Sequence, residues 1–384
     1  MKILHVVYEC TPGRFRGGVQ KVVWELANAQ SMLTDNVEIW TIGPKEEEVK
    51  FGALTLRSFL GRARFSSKDL RNTLNRRWRE FDVIHAHNTF LPLNRYVAAL
   101  GKRGAKVFYN PHGALDDVLL RGSSIKAWKK RIYNFLFERP NLNRSTGVVC
   151  LNEWEGRQLQ RFGVQVPIYC IGNGISSKNE HVTEADIQSF RKKHNVGLDV
   201  PIVLFVGRLV EKKCVDYIIK AMREVKKDVP SAILIIAGDR RANLGYVAFL
   251  DALISKLDLI DSVRWAGFLN EDEKPAVMAT TQVFVHASRS EGMAMSILEA
   301  MQYGLPTVVT KGCYMDKAAA EGALCEVDQD PSKIGAAIVN LIQDRSLAKC
   351  MSRNAVGYIS QHHDWKEIAS RYLAMYRGAG DVFE

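Results

Sequence analysis

Short apolar runs rich in β-branched residues alternate along this chain with longer stretches whose apolar residues recur every three or four positions. The short runs predict strands over 3–8, 37–41, 83–86, 106–109, 147–150 and 168–171. A second series follows over 202–206, 232–237, 263–266, 283–286 and 307–309. The longer stretches predict helices, among them 19–30, 215–226, 247–256 and 333–341. Strand and helix in alternation imply parallel sheets covered by helices, an α/β class. The pattern runs twice, with a polar interruption near 172–200 that includes Ser176-Ser177-Lys178-Asn179-Glu180. Two doubly wound, Rossmann-like domains are expected, facing each other with the loops at their strand C-terminal ends around one cleft.

Composition changes this picture little. At 384 residues the chain exceeds one ordinary core, and 47% apolar residues suffice for two. No apolar run approaches the length of a membrane-spanning helix. The start, Met1-Lys2-Ile3-Leu4-His5-Val6-Val7, reads as a first buried strand without a signal-peptide cleavage pattern after it. Seven cysteines, at positions 10, 150, 170, 214, 313, 325 and 350, form no Cys-x-x-Cys pair. They read as reduced thiols of a cytoplasmic protein, not as a disulfide framework or a zinc site.

Charge is more informative. The net charge is +11, and residues 1–170 carry 27 Lys and Arg against 15 Asp and Glu. The whole excess therefore lies in the first half. One dense stretch holds Arg57, Arg62, Arg64, Lys68, Arg71, Arg76, Arg77 and Arg79 among Phe59, Leu60, Phe65, Leu70, Leu74 and Trp78. A second holds Arg121, Lys126, Lys129, Lys130 and Arg131 with Trp128, Tyr133 and Phe135. Basic residues mixed with large apolar ones suit an anionic membrane surface, and an ordinary solvated face is the alternative. No nucleic-acid-binding module is recognisable, so nucleic acid is not an expected partner.

Candidate chemistry gathers where strands give way to loops. Ser290-Glu291-Gly292-Met293-Ala294-Met295-Ser296-Ile297-Leu298-Glu299 follows the strand at 283–286, with a helix predicted over 296–303. A strand, a tight turn and a helix N-terminus form the usual seat of a phosphorylated ligand in open α/β proteins. Glu291 and Glu299 can both face such a ligand; otherwise Glu299 complements the helix dipole and Glu291 is solvated. Gly17-Gly18 opens the first helix and lets backbone N–H groups approach a phosphate, although an ordinary tight turn explains it too. Pro111-His112-Gly113 follows one strand, the turn Gly172-Asn173-Gly174 suits a hinge, and Gly207-Arg208-Leu209 with Lys213 follows another strand. Arg208 and Lys213 can converge on one anion, or either can be plain surface. Neither a Gly-x-Gly-x-x-Gly nor a P-loop sequence occurs. His85 and His87 fall two apart on a strand end, which is too few ligands for a metal site, and His362-His363 reads as surface.

Taken together, Gly17-Gly18, His112-Gly113, Asn173-Gly174, Gly207-Arg208-Leu209 with Lys213, and Glu291 to Glu299 resemble the large retaining nucleotide-sugar glycosyltransferase family of GT-B architecture, family four. The resemblance runs from the first strand to Trp365, Ile368 and Tyr372, which look like the family's closing helices. It implies an acceptor-binding domain over 1–172, rejoined by a C-terminal helix over 364–384, and a donor-binding domain over 173–363. It also implies His112, Arg208, Lys213 and Glu291 at the reacting centre. Arg208 and Lys213 would meet the leaving diphosphate, Glu291 the hydroxyls of the transferred sugar, and Glu299 the ribose. Gly17, Gly18, Asn173, Gly207, Gly292, Met293, Ala294, Met295 and Ser296 would complete the donor site. The His-Gly-x-Leu-Asp variant is similar to members that build bacterial surface polysaccharides such as lipopolysaccharide and exopolysaccharide.

Three departures stand out. Cys214 occupies a position that is usually Gly in the family, Ser176 one where Asp often follows Asn-Gly, and Met293-Ala294-Met295 replaces a Gly- or Pro-containing run. The resemblance implies hexosyl transfer from a nucleotide sugar, GDP-mannose first and UDP-hexoses next, to a lipid-linked saccharide. The expected location is the inner face of the cytoplasmic membrane, peripherally attached. No Asp-x-Asp motif is placed to hold a metal, so neither metal nor other cofactor is expected. An epimerase on this fold would need acid–base carboxylates that are not recognisable, and a phosphorylase a pyridoxal-binding lysine and a longer chain. A non-catalytic sugar- or lipid-binding module is the alternative of another class.

Overall fold

The computed structural model describes the chain apart from residues 14, 16, 62–66, 116–127, 129, 130, 177–181, 271 and 384. Several residues of the two basic stretches (Arg62, Arg64, Phe65, Arg121, Lys126, Lys129 and Lys130) therefore lie outside the described residues, as do Arg14, Arg16 and Asp116. The chain divides into two compact units, Met1–Ser176 with His363–Glu384, and Ser177–His362.

The first unit is built on an eight-stranded sheet in the order β3-β4-β2-β1-β5-β6-β7-β8. Its strands are β1 (Lys2–Tyr8), β2 (Asn36–Gly43), β3 (Glu47–Phe51), β4 (Leu54–Leu60), β5 (Val83–His87), β6 (Val107–Asn110), β7 (Gly147–Cys150) and β8 (Ile168–Cys170). All pairings are parallel except β3 with β4, a hairpin at the edge. Strand order reverses between β1 and β5, so the loops after these strands border a topological switch point. Leu4, Val6, Ile84 and Ala86 point into one core with Trp40, Tyr109 and Val148. His5 lies opposite His85 in register, and the period of two puts His5, His85 and His87 together on the other face.

That other face is closed by the helices Gly18–Ser31 and Trp365–Tyr376. Asn173–Ser176 and His363 belong to this unit and not, as expected, to the second. The physical reason is local. Ile175 N donates to His363 O at 2.8 Å, and His363 Nδ1 bonds the Asn173 carbonyl at 2.7 Å. A Cβ on Gly174 would sit 2.5 Å from the Trp365 ring. His363 is thus buried, contrary to its surface reading, whereas His362 is exposed.

The second unit has six parallel strands in the order β11-β10-β9-β12-β13-β14. They are β9 (Ile202–Val206), β10 (Ile233–Ala237), β11 (Val263–Gly267), β12 (Val283–His286), β13 (Thr307–Thr310) and β14 (Cys325–Val327). From β9 the chain winds to one edge and then restarts at β12 on the other side. The reversal places a second switch point between β9 and β12. Val203, Phe205, Ile218, Met222, Leu234, Val285 and Ile338 fill the core against the helices Val215–Asp228 and Pro331–Gln343.

Candidate functional site

The loops leaving β9 and β12 carry the charged residues singled out in the second unit. After β9, Gly207 and Arg208 lead into a single tight turn, Glu211–Lys213, whose last residue is buried. After β12, Arg289 N donates to Lys212 O at 3.0 Å and Glu291 N to Gly312 O at 2.9 Å. The first bond ties the β12 loop to the β9 loop, and the second anchors it to the turn after β13. Lys213 Nζ donates to Glu291 Oε1 at 2.6 Å, with both side chains only 11% exposed. His286, at the end of β12 and fully buried, puts Nε2 3.4 Å from each of those atoms.

The electrostatics follow from this packing. Burial alone would raise the Glu291 carboxyl, but the Lys213 ammonium and the His286 bond hold it well below the usual carboxylate range. Burial and the Lys213 charge push His286 down, outweighing its bond to Glu291. The group therefore reads as an ammonium, a carboxylate and a neutral imidazole. Arg208 stands apart: it is exposed, and no carboxylate among the described residues pairs with it.

Glu299 lies in the helix Met295–Gln302, whose N-cap is Ala294 and whose first residue is Met295, one earlier than expected. Its carboxylate is gripped by Lys274, with Nζ 3.2 Å from Oε1 and 3.3 Å from Oε2. Gly292 and Ala294 are buried and Met293 and Ser296 half-buried, so the turn lies against the unit with part of its surface open. Lys274 and His286 were missed as site residues. Lys274 carries no local signal in sequence. His286 did carry one, since an imidazole closing a Val-Phe-Val strand at a switch point has a polar atom to place.

In the first unit, Gly17 is the extended N-cap of the helix Gly18–Ser31, with no side chain capping it. Its first N–H groups are available to an anion. His112 follows β6 with φ +53°, a left-handed conformation that a non-glycine residue adopts only when its surroundings impose it. Three bonds impose it here. His112 N donates to Asn110 Oδ1 at 2.9 Å, Gly113 N to Glu155 Oε1 at 2.6 Å, and His112 Nε2 lies 3.0 Å from His87 Nδ1. Glu155, another residue not expected, also accepts from Leu151 N at 2.8 Å. Asn173 is buried and held through its carbonyl by His363, which fits a structural turn.

His5, His85 and His87 form the one group among the described residues whose ring nitrogens are spaced for a metal, lying within 4.8 Å of one another. The donor set fits a metal poorly. Both nitrogens of His5 and both of His87 are engaged in hydrogen bonds, and no carboxylate joins the group to offset an ion's charge.

The basic stretches separate in the structure. In the first, Phe59, Leu70, Leu74 and Trp78 are buried, and the guanidiniums of Arg77 and Arg79 lie over the rings of Trp40 and Trp78. In the second, Trp128 is 63% exposed, Phe135 65% and Leu136 54%. Among the described residues the larger exposed apolar surface belongs to the second stretch, with Leu60 exposed in the first. No helix among the described residues is long and apolar enough to cross a membrane.

Comparison with known proteins fits this geometry. Residues 16–178 match the family described as Glycosyltransferase Family 4, and residues 186–357 match Glycosyl transferases group 1. The putative glycosyltransferase YtcC of Bacillus subtilis is 27% identical over 317 residues, 77% of this chain and 72% of that one. A GDP-mannose-dependent alpha-(1-6)-phosphatidylinositol monomannoside mannosyltransferase of Mycobacterium tuberculosis is 24% identical over 226 residues, 56% of this chain and 57% of that one. Among such relatives the matched segment spans from 44% to 84% of their length. In fold, the chain is similar to Anabaena Alr3699/HepE in complex with UDP and glucose, with TM-score 0.76 and 20% identity over 98% of this chain and 100% of that one. With two Rossmann-like units, both family matches and a charged switch point in the second unit, the chain belongs to the GT-B glycosyltransferases of family four.

Proposed function

We propose that the protein transfers a hexose, with retention, from a nucleoside diphosphate sugar to a lipid-linked saccharide acceptor, without a metal ion. The observation that carries this reading is the Lys213–Glu291–His286 group at the β9/β12 switch point. Departure of a nucleoside diphosphate from an anomeric carbon builds negative charge on the outer phosphate. Fixed cations at that position supply the largest share of the rate. Arg208, exposed and without an acid partner among the described residues, meets that charge directly. Lys213 is neutralised by Glu291 in this state, and a sugar hydroxyl that engages Glu291 leaves the ammonium free for the phosphate. Glu299, oriented by Lys274, takes the ribose hydroxyls, and the turn Gly292–Ser296 offers backbone N–H groups.

Among the described residues no side chain is placed as a covalent nucleophile, so attack on the same face as departure, with the leaving phosphate as base, is the favoured route. GDP-mannose is the first donor candidate, supported by the mannosyltransferase among the relatives. UDP-hexoses are the second reading, favoured by the UDP and glucose in the HepE complex. The exposed Trp128, Phe135 and Leu136 beside Arg131 suit an anionic bilayer where a lipid-linked acceptor resides. Incubating the purified protein with a panel of GDP- and UDP-sugars and measuring diphosphate release tests the proposal. Release from one of them supports it; intact donor throughout, or donor isomerised without release, defeats it.

A further inference from the structure

Behind His112 runs a continuous chain of ring contacts that the proposed transfer does not require. His112 Nε2 lies 3.0 Å from His87 Nδ1, His87 Nε2 lies 3.0 Å from His5 Nδ1, and His5 Nε2 lies 2.7 Å from Gln30 Oε1. His5, His87 and Gln30 are fully buried. The chain arises from features far apart in sequence: the parallel register of β1 and β5, the turn after β6, and the last turn of the helix Gly18–Ser31.

Its direction follows from hydrogen-bond chemistry. An amide oxygen only accepts, so the proton facing Gln30 Oε1 belongs to His5 Nε2. A neutral imidazole has one N–H, so His5 Nδ1 is an acceptor and His87 Nε2 carries the next proton. By the same step His87 Nδ1 accepts, and the last proton is on His112 Nε2. Burial keeps all three rings neutral, with His5 lowered to about 4, His112 to about 3 and His87 well below the ordinary value. A charge on any neighbouring ring would lower His87 further.

We infer that His87, His5 and Gln30 are positioning residues that lock His112 as its Nε2–H tautomer and so present His112 Nδ1 as a bare acceptor for a substrate hydroxyl. The identity of that substrate rests on the proposed sugar transfer; the lock does not. The chain holds a proton in place and cannot carry one away, because a carboxamide does not take up a proton at neutral pH. Since burial also lowers His112 to about 3, the ring is a weak base, suited to orienting a hydroxyl and not to taking its proton. This agrees with a reaction in which the leaving phosphate receives the proton. A metal at the same histidines is the competing occupant, and it would need lone pairs that the bonds already use.

The test reads the tautomer and the rate separately. In the full chain with ring-15N histidine, two-bond proton–nitrogen correlation is expected to show His112 protonated on Nε2 alone, with His112→Asn assigning the signal. Gln30→Leu is expected to release the lock, giving both tautomers at His112, and Gln30→Glu to restore one by returning an acceptor oxygen. With the nucleotide sugar that the native protein turns over, kcat in Gln30→Leu should fall by about tenfold, less than the loss of an acid–base group outright, with KM for the donor little changed. A proton on His112 Nδ1 in the native protein, a metal-bound ring nitrogen, or a tautomer unmoved in Gln30→Leu overturns the inference. The native spectrum alone decides if that variant does not fold. A locked His112 in a protein that releases no diphosphate would defeat the proposed transfer and leave the lock standing.

Discussion

Lys213 Nζ and Glu291 Oε1 meet at 2.6 Å in a setting nearly closed to solvent, so two residues first assigned to different parts of a donor answer to each other. Removing one leaves a buried charge without its partner, which costs about 3–5 kcal/mol. Lys213→Ala and Glu291→Ala should each lower the denaturant midpoint of the second unit. The double variant Lys213→Met with Glu291→Leu should recover most of that loss while remaining inactive. Single variants as stable as the native chain would show that the pair is not held as described.

Arg208 supplies the contrast. Its side chain is exposed, so Arg208→Ala should leave stability within about 0.5 kcal/mol of the native value. If it stabilises the leaving phosphate, kcat should fall by about two orders of magnitude or more. Steady-state kinetics on the donor identified by diphosphate release would decide this, and near-native turnover would remove Arg208 from the mechanism. A rate loss without a stability loss is the signature that Lys213 variants cannot give.

Buried His5 and half-buried His112 make stability depend on pH. Burial holds the folded-state values of His5 and His112 at about 4 and about 3, below the ~6.5 of an unfolded chain. The unfolded state therefore takes up protons first as pH falls. The contribution of each ring is complete above about pH 6.5 and declines by up to ~1.4 kcal/mol per pH unit below it, until the folded value is reached. Glu291 acts in the same direction only below the ordinary carboxylate range, since its pKa is lowered. The thermal midpoint should drop between about pH 7 and pH 5, and His112→Asn should shrink the drop. A flat profile over that interval would mean that the rings are accessible to water.

Much of this was legible because the core strands announce themselves. β9, β10 and β12 read Ile-Val-Leu-Phe-Val, Ile-Leu-Ile-Ile-Ala and Val-Phe-Val-His, and the helices between them keep a helical period. Of the four edge strands, β8 and β11 were legible and β3 and β14 were not, and β4 beside β3 was missed with it. β3 reads Glu-Glu-Val-Lys-Phe, because an open edge is protected by charge, and β14 is three residues long. In the site, Arg208, Lys213, Glu291 and Glu299 follow strands directly or sit in the adjoining helix turn, and their spacing carries the pattern. Lys274 reaches Glu299 across 25 positions and Gln30 reaches His5 across 25, contacts that only the folded chain creates.

Membrane attachment, if it operates, should map to the second basic stretch. Phe135 and Leu136 are exposed, whereas the aromatic partners of Arg77 and Arg79 are buried in the protein. Phe135→Ser with Leu136→Ser should weaken sedimentation with anionic phospholipid vesicles by about tenfold or more, from the lost apolar contact. Arg77→Gln with Arg79→Gln should weaken it less. Undiminished sedimentation of the Phe135/Leu136 variant would count against attachment through this surface.

Cys214 shows how the chain accommodates a departure from its family next to Lys213. The residue has φ +49° and ψ +45°, a left-handed conformation that costs a non-glycine residue about 1–2 kcal/mol. Its side chain is fully buried, with Sγ 3.3 Å from Glu211 O and 3.1 Å from Gln329 Nε2, so local contacts offset the strain. Cys214→Gly exchanges the strain for the lost contacts and should change stability by less than about 1 kcal/mol, with turnover retained. Cys214→Val keeps the bulk but places a β-branched side chain at positive φ. It should destabilise by about 1–3 kcal/mol and lower kcat by displacing Lys213. Denaturant unfolding and donor turnover of the two variants check this together. A Val variant as stable and active as the Gly variant would show that the left-handed turn does not set the position of Lys213.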